Sequence, residues 1–180
     1  MNRLVLVLFT FYSSIAWGQK FGLEKSLVTF FSDATIEDIA AQNSKSSAIL
    51  ISETGDVAFA IPIREFIFDK SLMQEHFNEK YLESEKFPKA TFQGKITGYQ
   101  LNASGPQPAI AKGKLTIHGI TREIEVQGTV ESAGQKIFMK SKFIVKLDDY
   151  GISRPQLLWQ NIAEQVEVSV DFTFKPYDQK

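Results

Sequence analysis

Residues 112–130 read Lys-Gly-Lys-Leu-Thr-Ile-His-Gly-Ile-Thr-Arg-Glu-Ile-Glu-Val-Gln-Gly-Thr-Val, and this alternation leaves the chain few options. Leu115 and Ile117 alternate with Thr116 and His118. Beyond a turn in residues 118–123 the pattern resumes, with Ile124 and Val126 set against Glu123 and Glu125. Period-two alternation on both sides of a turn predicts a β-hairpin. A turn centred between Ile120 and Thr121 puts Ile117 opposite Ile124 and Leu115 opposite Val126, so both arms show their apolar residues on one face. A hairpin with one apolar and one polar face belongs to an antiparallel sheet lying over a core or a cavity.

Other segments repeat the design. Ile137, Met139, Ser141, Phe143, Val145 and Leu147 share one face of a strand, and Val166, Val168, Val170, Phe172 and Phe174 share one face of a closing strand. Residues 47–52 and 57–68 form a hairpin about Thr54-Gly55-Asp56, with Ile49, Ile51, Val57, Phe59, Ile61 and Ile63 all on odd positions. Pro62 falls on an outward position and marks an edge or a bulge. Further strands are read at residues 26–31 and 90–97. Two segments change to helical spacing. One carries Ile36, Ile39 and Ala40 behind the capping residues Ser32, Asp33 and Thr35. The other, after Asp69, aligns Met73, Phe77 and Tyr81 and pairs Leu72 with His76, and its Ser71 and Gln74 have the spacing of a capping box.

Eight strands joined mostly by hairpins predict an all-β fold, an antiparallel barrel with two short helical insertions, because closure removes the edges an open sheet would expose. Runs of about ten residues suit tilted barrel staves better than a sandwich. Small residues interrupt the inward faces: Gly94 beside Phe92, Gly113 beside Leu115, Gly128 beside Val126, and Ser141 between Met139 and Phe143. Such gaps either open a cavity or accommodate bulky neighbours and bend the staves; the pattern supports both equally.

Residues 1–18 read as a secretory signal peptide: a basic start at Met-Asn-Arg, a short apolar run from Leu4 to Tyr12, and Ala16-Trp17-Gly18 before the cut. The run is too short for a stable membrane span. Residues 19–180 then form one exported domain, periplasmic or secreted, of roughly 160 residues. With no cysteine, that domain depends on its core rather than on disulfides. A net charge of −1 with interspersed signs offers no basic stripe for nucleic acid and no polybasic block for anionic membranes. Phe (15) far outnumbers Tyr (5) and Trp (2), which suits a dry interior because Phe has no polar tip to satisfy.

Catalytic chemistry finds little footing. His76 and His118, without cysteine, give no zinc ligand set. Asp148-Asp149 resembles a carboxylate pair, but with Tyr150-Gly151 behind it reads as a turn. No serine sits in a nucleophile elbow. The expectation is a protein that is not an enzyme, with no cofactor, no metal and no catalytic residue.

Five segments in order carry a resemblance: residues 59–66 (Phe-Ala-Ile-Pro-Ile-Arg-Glu-Phe), 72–77 (Leu-Met-Gln-Glu-His-Phe), 81–92 (Tyr-Leu-Glu-Ser-Glu-Lys-Phe-Pro-Lys-Ala-Thr-Phe), 113–122 (Gly-Lys-Leu-Thr-Ile-His-Gly-Ile-Thr-Arg) and 143–152 (Phe-Ile-Val-Lys-Leu-Asp-Asp-Tyr-Gly-Ile). Together they resemble the YceI-like family across essentially the whole of residues 19–180. The resemblance implies a lipocalin-like barrel whose apolar channel takes a polyisoprenoid or related quinone-type lipid, and it carries over no active-site residue.

Alternation and resemblance together propose Phe59, Ile61, Phe92, Leu115, Ile117, Val126, Met139, Phe143 and Phe172 as the channel lining, with Met73 and Phe77 near its mouth. The helix bearing Leu72, Met73, His76, Phe77 and Tyr81 reads equally as a lid or as a plug. Arg64, His118, Arg122 and Arg154 are candidate head-group contacts, and Trp159 packs over an opening or anchors its loop. The expected partner is a long-chain apolar lipid, sequestered or carried through an aqueous compartment; a homodimer is left open. Two other readings stand beside it: a small exported enzyme acting on a lipid or quinone, and a solid barrel serving as a protein-interaction module.

Overall fold

The alternating segments pair into one antiparallel sheet that closes on itself. The computed structural model describes residues 19–33, 38–153 and 163–177; the signal-peptide reading, Ile36, Arg154 and Trp159 lie outside them. Its strands are β1 (Lys20–Ser32), β2 (Ile39–Asn43), β3 (Ser47–Ile51), β4 (Asp56–Pro62), β5 (Ile67–Phe68), β6 (Lys89–Thr97), β7 (Gln107–Ile117), β8 (Ile120–Ala133), β9 (Lys136–Lys146) and β10 (Gln165–Pro176). Eight of them form the wall in the order β10-β9-β8-β7-β6-β4-β3-β1, and β1 pairs with β10 to close it. The remaining two extend broken staves. β3 covers one end of β1 and β2 the other, while β4 and β5 repeat that division on the next stave. Asn43, fully buried, holds the break: its Nδ2 donates to the Pro62 carbonyl at 2.8 Å and its Oδ1 accepts from Lys45 N at 2.8 Å.

One end of the barrel, the floor, is packed solid by Phe21, Leu50, Ile137 and Phe174. The other end, the rim, gathers the β7–β8 turn, a 3-10 turn at Asp148–Tyr150, and helix α1 (Ser71–His76), which runs on into a π-helical turn at Phe77–Tyr81.

The inward faces of β9 and β10 follow the expected alternation. Elsewhere the structure corrects the sequence reading. Residues 39–43 are a strand, not part of a helix, with Ala41 and Asn43 buried and Ala40 and Gln42 exposed; the free edge of β1 supplies ladder partners that outweigh the local spacing. In the central hairpin the turn lies at His118-Gly119, so Ile117 faces Ile120 and Leu115 faces Arg122, while Ile124 and Val126 face Gly113 and Ala111. This slip is an even number of residues, so every side chain keeps its face. Both turn residues have positive φ, +50° and +75°, as a tight two-residue hairpin turn requires.

In the β3–β4 hairpin an odd residue stands opposite an even one, Leu50 against Val57, so Ala48 and Leu50 face inward and Ile49 is exposed. The strand read through residue 68 stops at Pro62 and resumes as β5 after a 3-10 turn at Ile63–Glu65. No capping box forms: no side chain caps α1 at its start, and Gln74 Oε1 instead accepts from Phe68 N at 3.4 Å. A bulge at Glu24 lies between the pairs Leu23–Phe174 and Lys25–Thr173, switching the inward set of β1 from Phe21 to Val28, Phe30 and Ser32.

The interior glycines serve both readings offered for them. Gly94 and Gly113 stand opposite each other, and a Cβ on either would lie 2.3 Å from a carbonyl oxygen of the neighbouring strand. Bare backbone therefore lets the wall fold sharply there, and a cavity also remains inside.

Candidate ligand-binding cavity

Inward side chains from nearly every stave enclose a cavity of about 300 Å³. Each residue proposed from the sequence lines it: Phe59 and Ile61 from β4, Phe92 from β6, Leu115 and Ile117 from β7, Val126 from β8, Met139 and Phe143 from β9, Phe172 from β10, and Met73 and Phe77 from the helical segment. The alternation that makes a strand amphipathic is what delivers these groups to one space. Phe59 stacks on Phe92 with ring centroids 5.1 Å apart and meets Phe172 edge-on at 5.6 Å, forming an aromatic girdle across the interior.

Toward the rim a second aromatic group packs around Phe77. Its ring lies 5.4 Å from Phe30, 5.5 Å from Phe66 and 5.0 Å from Phe68. The helix therefore joins the interior through Met73, His76, Phe77 and Tyr81, while Leu72 points out and is exposed. Sequence reasoning missed Phe30, Phe66 and Phe68, and also Val166, Val168 and Val170, all of which reach the cavity. For the three valines the signal was present in the even positions of β10. Phe30 sits in the strand read at residues 26–31, where Leu27 and Phe31 on one parity and Val28 and Phe30 on the other leave the inward face undecided.

Polar groups on the wall are few, and several are already engaged. Ser32 Oγ accepts from Ala163 N at 3.1 Å, and Ser141 Oγ donates to the Gln127 carbonyl at 2.9 Å. Tyr81 brings a phenol to the cavity, and burial pushes it above the ordinary tyrosine range, so it remains a neutral donor. The side chains read as head-group contacts are tied down as well. Arg64 pairs with Glu85 at 2.7 Å away from the cavity, Arg122 Nε donates to the Asp149 carbonyl at 2.9 Å, and His118 Nε2 meets the Glu83 carboxylate at 2.7 Å. Among the described residues no group of three or more His, Cys, Asp or Glu is placed to hold a metal ion, and no helix is long and apolar enough to cross a membrane.

Fold and cavity define a closed antiparallel barrel with a hydrophobic interior. The chain belongs to the YceI-like family, whose domain model matches residues 13–174. Among solved structures it is similar to a polyisoprenoid-binding domain from Saccharophagus degradans implicated in plant cell wall breakdown, at 15% identity and a TM-score of 0.76 over 87% of this chain and 98% of that one. Burkholderia cenocepacia BcnA is similar at 17% identity and 0.70, over 82% and 95%. The Campylobacter jejuni YceI protein is similar at 12% identity and 0.57, over 99% and 100%. Among curated proteins no relative matches the chain.

Proposed function

We propose that this protein binds a long-chain isoprenoid or quinone-type lipid inside its barrel and, as an exported protein, sequesters or carries it through an aqueous compartment. The observation that carries the reading is the cavity, walled almost entirely by aliphatic and aromatic side chains contributed from around the barrel. A space of that kind has few groups to offer a polar substrate and much to offer a hydrocarbon chain. The likeness to a polyisoprenoid-binding domain supports the same ligand class.

Each buried methylene contributes about 0.8 kcal/mol, so one prenyl unit supplies roughly 3–4 kcal/mol before ordering costs. A hydrogen bond to a charged head group gives about 1.5–3. The tail therefore sets affinity, with Tyr81 and His76 as the polar groups that tune it from the cavity wall. The eleven residues proposed from the sequence are the proposed contact set, and binding without chemical change is the proposed activity.

Native mass spectrometry of residues 19–180, purified without detergent and followed by solvent extraction, tests this directly. A stoichiometric adduct with a polyprenyl or quinone mass is expected, and the same spectrum reports whether the carrier is one chain or two. An apo mass that persists after incubation with such lipids would overturn the proposal.

A further inference from the structure

The barrel wall is incomplete on one side. The β8–β9 ladder runs from Ala133–Lys136 to Gly128–Ser141 and stops there, although both strands continue. Residues 120–127 of β8 stay paired to β7, and residues 142–146 of β9 stay paired to β10, so among the described residues each remains an ordered stave with one unpaired edge. The two edges face one another across a slot. Ser141 Oγ, bonded to the Gln127 carbonyl at 2.9 Å, closes the slot at its lower end, and Arg122, bonded to the Asp149 carbonyl, spans its upper end.

Leu115, Ile124, Val126, Phe143 and Val145 line both this groove and the main cavity, so the slot and the apolar interior are divided by one layer of aliphatic and aromatic side chains. Outside it Ile144 stands 52% exposed. The rim end differs: there Phe77 is wedged among Phe30, Phe66 and Phe68 beneath the helical segment. Passage through the slot breaks no ladder hydrogen bond, because none is made there among the described residues.

We infer that the slot between β8 and β9 is the port through which an isoprenoid chain enters the barrel sideways, and that the helix-covered rim is not the route. This rests on the carrier reading above and adds the path of the ligand to it. An apolar chain would cross between Val126 and Phe143 with its flanks against aliphatic side chains, and its polar end would remain at the charged lip formed by Glu123, Glu125 and Lys146.

The absence of native cysteine makes a cross-linking test clean. Continuing the register past Gly128–Ser141 sets Glu125 against Ile144, both outward, so the double variant Glu125→Cys, Ile144→Cys can be bridged after folding with a short bis-maleimide. Arg64→Cys with Glu85→Cys, whose parent side chains touch at 2.7 Å, allows the helix-side rim to be bridged instead. Loading with geranylgeraniol is followed as the rate at which the adduct mass appears. Bridging the slot is expected to slow loading by about tenfold or more, and bridging the rim to change it by less than about twofold. Loading at the unbridged rate through a bridged slot, or a block caused by the rim bridge, would overturn the port while leaving the cavity reading intact. Failure of the unbridged and wild-type proteins to load at all would overturn both.

Discussion

His118 and Glu83, the two non-glycine residues with positive φ among the described residues, are bonded to each other, Nε2 to carboxylate oxygen at 2.7 Å. The other ring nitrogen lies 3.2 Å from the Tyr150 carbonyl, and the ring packs on Phe87 at 4.6 Å. One side chain thus joins the β7–β8 turn, the loop that follows the helical segment and the 3-10 turn after β9. Two strained backbone positions meeting in one contact mark a clamp that the surrounding structure holds in place.

That clamp can be separated from its backbone strain. His118→Gly and His118→Ala both remove the imidazole, but only alanine must hold φ near +50° with a Cβ. His118→Ala should be the less stable by about 1 kcal/mol, read from urea denaturation midpoints. Equal midpoints would show that the turn relaxes.

Glycine positions should divide sharply by what surrounds them. A Cβ at Gly94 would sit 2.3 Å from the Lys112 carbonyl oxygen and 2.8 Å from Gly113 Cα, both backbone atoms of the facing strand. Gly94→Ala is expected to cost about 3 kcal/mol or more because a stave must move. Gly105, with φ +76° but nothing within 4 Å, should cost only about 1 kcal/mol on the same substitution. Thermal melts of the two variants decide it.

Filling or polarising the cavity should separate binding from folding. Leu115→Trp and Phe143→Gln each place an obstruction or an unsatisfied amide where an isoprenoid would lie. Lipid uptake by native mass spectrometry should fall at least about tenfold while the β-sheet circular dichroism persists. Wild-type uptake by both variants would remove them from the contact set.

The bulge also has a titration signature. Glu24 meets Lys136 Nζ at 2.7 Å, and that hydrogen bond holds its carboxyl below the ordinary glutamate range. A carboxyl depressed in the folded state adds stability above its unfolded value and loses it as pH falls through the folded one. In Lys136→Met the Glu24 carboxyl should titrate higher by NMR, and that part of the acid sensitivity should disappear. An unchanged titration would mean the ion pair is not formed in solution.

The wall of the barrel was legible because amphipathic strands advertise their faces. β9 and β10 set an apolar residue on nearly every inward position, with Phe138 and Ile144 of β9 as the outward exceptions, and the residues picked from them line the cavity. Failures came where one residue changes the meaning of those after it. The odd-against-even pairing of Leu50 with Val57 and a His-Gly turn in place of an Asn-Gly or Asp-Gly signal both shift pairing without changing composition. Residues 39–43 failed for another reason. Their strand exists because β1 offers an edge, a fact about distant residues that local spacing does not contain. The slot was invisible for the same reason, since β8 and β9 read as uninterrupted strands and only their mutual pairing stops.

Closure by β1 and β10 joins the first and last of the described strands, with Phe21 beside Pro176 and Phe31 beside Glu167. During synthesis β1 therefore emerges long before the strand that will cover its outer edge. Until the last staves are made the sheet is an open ribbon with a sticky strand at one margin, and the contact that ends this state carries the largest loop-closure entropy in the molecule. Loss of β10 would leave β1 and β9 both exposed, so a shortened product should self-associate rather than persist as a smaller barrel.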